Sequence, residues 1–262
     1  MGIRYKNIKL TIEYDGTNYS GWQRQKNCPT IQGMIESAIT KMTGQKTTLI
    51  GSGRTDAGVH AWQQVANFKT YTRLTPTQFL KGLNSLLPED IAIHSCVEVP
   101  GNFHSRYDVK SKIYRFYIGQ RPHKMALFHQ YCWNIPYKLN ISDMKNASTL
   151  FEGTHDFKSF EGAGSPRSTS VRTIIRSTLT LNDNQYIIYE IEADGFLRFM
   201  VRNIVGTLVE IGKKRLSFNA IPSILQSRDR QQAGPTAPPQ GLFLIEVKYD
   251  CPTSELLISD RG

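Results

Sequence analysis

Residues 51–60 read Gly-Ser-Gly-Arg-Thr-Asp-Ala-Gly-Val-His, so three glycines surround Arg54, Asp56 and the nearby His60. Glycine lets the backbone turn sharply and lets another chain approach closely. Glycines packed around charged residues are expected of a site loop. A carboxylate held there, Asp56, could act as a nucleophile or as a general base. The same composition also fits a tight surface turn carrying charges. A phosphate cradle fits poorly, because no Gly-Lys-Ser/Thr follows and no helix is expected to start there.

Two further groups could do chemistry. Residues 196–206, Phe-Leu-Arg-Phe-Met-Val-Arg-Asn-Ile-Val-Gly, place Arg198 and Arg202 four apart, on one helix face. Their surroundings are apolar, and a buried guanidinium needs an anionic partner, either a carboxylate or a phosphate. The alternative is two solvated arginines on an outer face. Residues 110–117, Lys-Ser-Lys-Ile-Tyr-Arg-Phe-Tyr, alternate as a strand. Tyr114 and Phe116 then share one sheet face, and Arg115 and Tyr117 the other. Aromatic and basic residues interleaved in this way suit base stacking and phosphate contact, although aromatics on a sheet are more often core.

The elements that must position these residues follow from periodicity. Residues 7–14 alternate as a strand. A helix is expected after Pro29, capped by Thr30, with Ile31, Met34, Ile35, Ala38, Ile39 and Met42 on one face. Strands at 47–51 and 63–68 follow, then a helix from Pro76 that Pro88 ends, and a strand over 91–99. The second half reads as a strand at 112–118 and a helix at 142–151 capped by Ser142. A hairpin over 172–181 and 185–193 follows, turning at Asn182, Asp183 and Asn184. The longest helix is expected at 196–211, then a short one at 221–225 and a last strand at 242–249. The order β-α-β-β-α-β occurs twice. The expected fold is therefore α+β, with two ferredoxin-like halves, 1–108 and 109–262, whose antiparallel sheets flank a central basic cleft. Residues 161–169 and 229–240 are expected to be loops.

Composition narrows the partners. Lysine and arginine exceed aspartate and glutamate by 32 − 22 = 10 in a chain of 262 residues, which favours a polyanion such as nucleic acid. No leader and no run long enough to cross a bilayer is read, so the cytoplasm is the expected compartment. Cys28, Cys96, Cys132 and Cys251 lie too far apart for a zinc-type pair and are expected to be reduced thiols. His155 and Asp156 alone make no metal site. Neither a metal nor a small-molecule cofactor is expected.

The blocks at 13–16, 21–25, 53–61, 103–106, 153–157, 196–206 and 233–242 run nearly end to end. In this order they resemble the TruA family of tRNA pseudouridine synthases. The resemblance implies two similar α/β halves around a cleft, a homodimer, and tRNA as substrate. It further implies isomerisation of uridine at tRNA positions 38, 39 and 40, in the anticodon arm. It assigns Asp56 as the catalytic aspartate, Arg202 as its partner and Tyr114 as the ring near the target base. Arg54 becomes a site-loop arginine associated with nucleotide flipping, and Arg106 a phosphate contact. Phe199 departs from the family, where many members carry histidine. Arg202 is expected to grip Asp56 through a two-pronged contact and to lower its pKa against any rise from burial.

Overall fold

The computed structural model describes residues 4–164, 169–182 and 186–250. The tip of the expected hairpin at Asp183 and Asn184, the middle of the 161–169 loop and Cys251 lie outside the described residues.

The first half begins with strand β1 (Arg4–Tyr14), whose alternation buries Ile8, Leu10, Ile12 and Tyr14. Helix α1 (Ile31–Thr43) is capped by Thr30, whose hydroxyl accepts the Gly33 N–H. Its buried stripe is Ile31, Ile35, Ala38 and Ile39, while Met34 is exposed. Strands β2 (Ile50–Gly51) and β3 (His60–Thr72) bracket the glycine-rich loop. Helix α2 (Pro76–Leu86) starts with a capping box of Thr75 and Gln78 and buries Phe79 and Leu83. Leu87 is extended, as the residue before Pro88 must be, and strand β4 (Ile91–Val99) follows.

The second half comprises β5 (Val109–Gly119), β6 (Trp133–Asn134), α3 (Ile141–Thr149), β7 (Gly153–Asp156), β8 (Val171–Leu181) and β9 (Tyr186–Ala193). It ends with α4 (Met200–Gly212), α5 (Ile221–Ser227) and β10 (Leu242–Tyr249). The short strands β6 and β7 were not anticipated, since two to four residues carry too little periodicity. Three boundaries differ from expectation for physical reasons. Asn140, not Ser142, caps α3, because its side chain accepts the Asp143 N–H at 3.2 Å. Helix α4 starts at Met200 rather than 196, because Phe199 adopts φ 62° and breaks the helical path. At 13 residues it ties with α1 as the longest of the described helices. The 47–51 strand shrinks to the two residues of β2.

The ten strands form one sheet in the order β4-β1-β3-β10-β5-β9-β8-β7, with β2 beside β3 and β6 beside β5. Pairing is antiparallel except between β3 and β10 and between β5 and β6. The fold is thus mixed α+β, a large and mostly antiparallel sheet with five helices. Among these helices, α2 packs on β4, while α3 packs on β8 and on α4. Strand β10 joins the halves: Phe243 and Leu244 lie beside His60 and Ala61 of β3, while its other edge pairs with β5. That join sets the glycine-rich loop of the first half against β5 and α4 of the second.

Candidate active site

The loop between β2 and β3 is held at several points. Ser52 Oγ donates to Gln64 Oε1 at 2.6 Å, and Gln64 Nε2 donates to Gly53 O at 3.2 Å. Ser52 and Gln64 are both fully buried. Lys112 Nζ, from β5, donates to Ser52 O at 2.8 Å, so the second half grips the loop of the first. Thr55 is fixed twice: its hydroxyl meets Tyr14 Oη at 2.8 Å, and its carbonyl accepts the Trp22 N–H at 3.1 Å. Gly21 permits this approach. Its φ is 88°, and a Cβ there would stand 2.6 Å from Thr55 O.

Asp56 follows directly and meets the second half. Arg202 Nη1 lies 3.1 Å from Asp56 Oδ2, although 146 positions separate the two residues in the chain. The arginine is itself fixed, since its Nε donates to Ala237 O at 2.8 Å. Ala237 returns its N–H to Arg202 O at 3.0 Å. This segment crosses α4 at Gly206, where a Cβ would fall 1.6 Å from Pro235 O. The Asp56 contact is a single charge-assisted hydrogen bond from Nη1, not the expected two-pronged grip, while Nε donates to Ala237.

The electrostatics show the expected opposition of burial and Arg202, with burial the larger influence. Asp56 is held above its ordinary pKa, because burial outweighs the opposing hydrogen bond and charge of Arg202 and the charge of Arg198. The side chains are 13% (Arg202) and 29% (Asp56) exposed, so the pair is only partly screened. The arginine limits the rise without reversing it.

Tyr114 of β5 is near enough to Asp56 to feel its charge. Burial raises its hydroxyl pKa most, and the neighbouring Tyr14 and Asp56 raise it further. Its ring meets Phe196 edge-on at 5.0 Å and is 7% exposed, so it is nearly covered in the free protein. Phe116, on the same face, is wholly core. On the other face Arg115 pairs with Glu190.

The other two expected site arginines are at the surface. Arg54 is exposed, and its Nε donates to Gln23 Oε1 at 3.0 Å. Arg106 is exposed beside Tyr107. Neither touches Asp56. Phe199 lies beneath two guanidinium groups, Arg198 at 4.7 Å and Arg202 at 5.0 Å from its ring centre. His60 is buried away from the carboxylate. Its Nδ1 lies near Asp15 and the Gly16 N–H, its Nε2 meets Gln130 O, and burial depresses its pKa. Asp15, just after β1, accepts the Thr17 N–H, and Asp156, the last residue of β7 rather than the expected turn residue, accepts the Lys158 N–H. Among the described residues no three His, Cys, Asp or Glu side chains gather to hold a metal ion.

Periodicity did not identify Gln64, Thr55 or the Ala237 carbonyl as parts of the site. Lys112 lay within the basic run at 110–117 but carried no separate signal. A cavity of about 1000 Å³ lies elsewhere, among His60, Tyr117, Phe128, Tyr131 and Phe243. It includes neither Asp56 nor Arg202.

The arrangement provides an anchored, partly buried carboxylate beside a fixed cation and an aromatic ring, with exposed arginines, Arg54 and Arg106, elsewhere on the first half. Residues 10–108 and 147–250 match the family model described as tRNA pseudouridine synthase. The chain is 47% identical over 244 residues to a protein of Thermoanaerobacter sp. (strain X514) named tRNA pseudouridine synthase A. Proteins of the same name from Acetivibrio thermocellus and Clostridium kluyveri are each 48% identical, over 244 and 246 residues. Each of these matches covers 93% of this chain and 100% of the relative.

Proposed function

Because the chain belongs to the TruA family of tRNA pseudouridine synthases, we propose that it isomerises uridine to pseudouridine in tRNA with Asp56 as the essential carboxylate. The proposed targets are positions 38, 39 and 40 of the anticodon stem-loop. The observation that carries this reading is the Asp56–Arg202 contact at 3.1 Å. It joins a loop of the first half to a helix of the second.

The reaction breaks the bond between C1′ of the ribose and N1 of uracil. The ring turns, C5 bonds to C1′, C5 loses its proton and N1 gains one. Nothing is oxidised and no group leaves, so the atoms balance without a cofactor. Asp56 must be ionised to act, either by attack or as a base toward the sugar. Arg202 opposes the burial that would keep it protonated, and its bond to Ala237 keeps the cation in place. Tyr114 is the ring against which the extruded uracil packs, and Arg54 reaches from the loop rim into the space the base vacates. Arg106 contacts phosphate. Extrusion costs a few kcal/mol, which these contacts offset.

The scaffold is read as two ferredoxin-like halves, 1–108 and 109–262. The strand orders β4-β1-β3-β2 and β10-β5-β9-β8 support this, since each is the same permutation of four strands. The chain is expected to act as a homodimer in the bacterial cytoplasm; no described helix is long and apolar enough to cross a membrane. The test is to incubate the purified protein with unmodified tRNA and map pseudouridine. New pseudouridine at 38, 39 or 40 supports the reading, and pseudouridine only elsewhere refutes the assigned positions.

A further inference from the structure

Residues 103–108 form a turn between β4 and β5 whose exposed side is aromatic and basic. Tyr107 is 75% exposed, which is unusual for so large a ring. It is not loose. The His104 ring stacks beneath it, with centroids 4.1 Å apart and planes at 26°. His104 is fixed in turn, because its Nδ1 accepts the N–H groups of both Arg106 and Tyr107, at 3.1 and 3.2 Å. Asp108 closes the turn by accepting the His104 N–H at 2.9 Å. The ring of Tyr107 is thus supported by His104 while most of the residue stays exposed.

The turn is also tied to the strands that carry the site. Ser105 Oγ donates to Ile50 O of β2, immediately before the loop that holds Asp56. The Ser105 N–H donates to Asn67 Oδ1 of β3 at 2.9 Å, and Tyr249 Oη of β10 donates to Ser105 O at 2.6 Å. The chain then runs directly into β5, which carries Lys112 and Tyr114. The Arg106 guanidinium lies 5.9 Å from the Tyr107 ring centre. An ordered, solvent-facing ring beside an exposed cation matches the chemistry by which proteins hold unpaired nucleobases, through ring stacking with a phosphate contact alongside.

We propose that Tyr107, supported by His104, is a stacking platform for an unpaired base of the substrate RNA other than the uridine that reacts. This rests on the reading of the protein as a tRNA-modifying enzyme. The role is binding, separate from the chemistry at Asp56, and it distinguishes Tyr107 from Arg106, whose contribution is ionic.

The test measures the Kd for unmodified tRNA, and its salt dependence, for the wild-type chain and for Tyr107→Ala, Tyr107→Leu, Tyr107→Trp and Arg106→Ala. Melting curves confirm that each variant is folded, and the exposed position makes that the expected result. Loss of one stacked base corresponds to a roughly 5- to 150-fold rise in Kd. Tyr107→Ala and Tyr107→Leu should both show it, since leucine keeps apolar bulk but has no π-face, while Tyr107→Trp should bind like wild type. The salt slope should stay unchanged in the Tyr107 variants and become shallower by about one in Arg106→Ala. Wild-type affinity in Tyr107→Ala, or in Tyr107→Leu, overturns the platform while leaving the tRNA reading intact. Failure of the wild-type chain itself to bind tRNA is the separate result that removes the reading beneath it.

Discussion

Replacing Arg202 by methionine removes the cation beside Asp56 while keeping a long apolar stem in the packing of α4. The structure sets the size of the effect. At 3.1 Å, with an effective dielectric constant of 20, the Coulomb energy is about 5 kcal/mol. Asp56 is partly exposed, so that value is an upper bound. Hydrogen bonds to charged groups contribute about 1.5–3 kcal/mol, equivalent to about a 10- to 150-fold loss in kcat/KM. The pH dependence gives an independent check. Burial already holds Asp56 above its ordinary pKa, and Arg202 is the leading opposing influence. Without it, ionisation requires a higher pH, so the acidic limb of the kcat/KM profile should move upward. Lysine should rescue only in part, because one ammonium cannot serve both Asp56 and the Ala237 carbonyl as the guanidinium does. The assay is pseudouridine formation in prefolded tRNA from pH 5 to 9. Wild-type kcat/KM in Arg202→Met, with an unmoved acidic limb, would refute the reasoning.

Binding to tRNA should weaken steeply between about 50 and 200 mM salt, by about a thousandfold if six phosphates are contacted; a flat salt response in a filter-binding titration would contradict the ionic reading. Tyr114→Phe should retain tRNA affinity, whereas Tyr114→Ala should lose about 1–3 kcal/mol of stacking; equal affinity and turnover in both would make Tyr114 a core residue only. Asp56→Asn should melt at or above the wild-type temperature at pH 8, because the folded chain holds the Asp56 proton more tightly than the unfolded chain does. Stability then falls as pH rises from the ordinary carboxylate value through the raised folded one, and the cost is fully present above that. The gain from Asp56→Asn should therefore vanish below about pH 4, and calorimetry showing a lower melting temperature at pH 8 would contradict this sign.

What the sequence disclosed divides by range. Thr30, Pro76 and the alternation of Ile8, Leu10 and Ile12 act over a few residues, and they form the helix starts and the buried face that were read from them. Phe199 was misread because a left-handed residue without glycine leaves no local mark. The Ser142 cap failed because two polar residues competed for one helix start and Asn140 made the bond. Within the site, the glycine-rich loop and the spaced arginines were visible as patterns. Their partnership was supplied by resemblance, since no local pattern joins residues 146 positions apart. The placement of Arg202 by the Ala237 carbonyl and the raised Asp56 pKa depend on packing and burial, which appear only once α4 and the 233–238 segment have packed together.

The central claim is that the carboxylate of Asp56 performs the reaction. Asp56→Asn keeps the shape of the side chain and removes its charge. Incubated with unmodified tRNA under conditions in which the wild-type chain converts it fully, the variant should form no pseudouridine while binding tRNA with nearly wild-type affinity. Pseudouridine formed by Asp56→Asn at the wild-type rate would contradict the account.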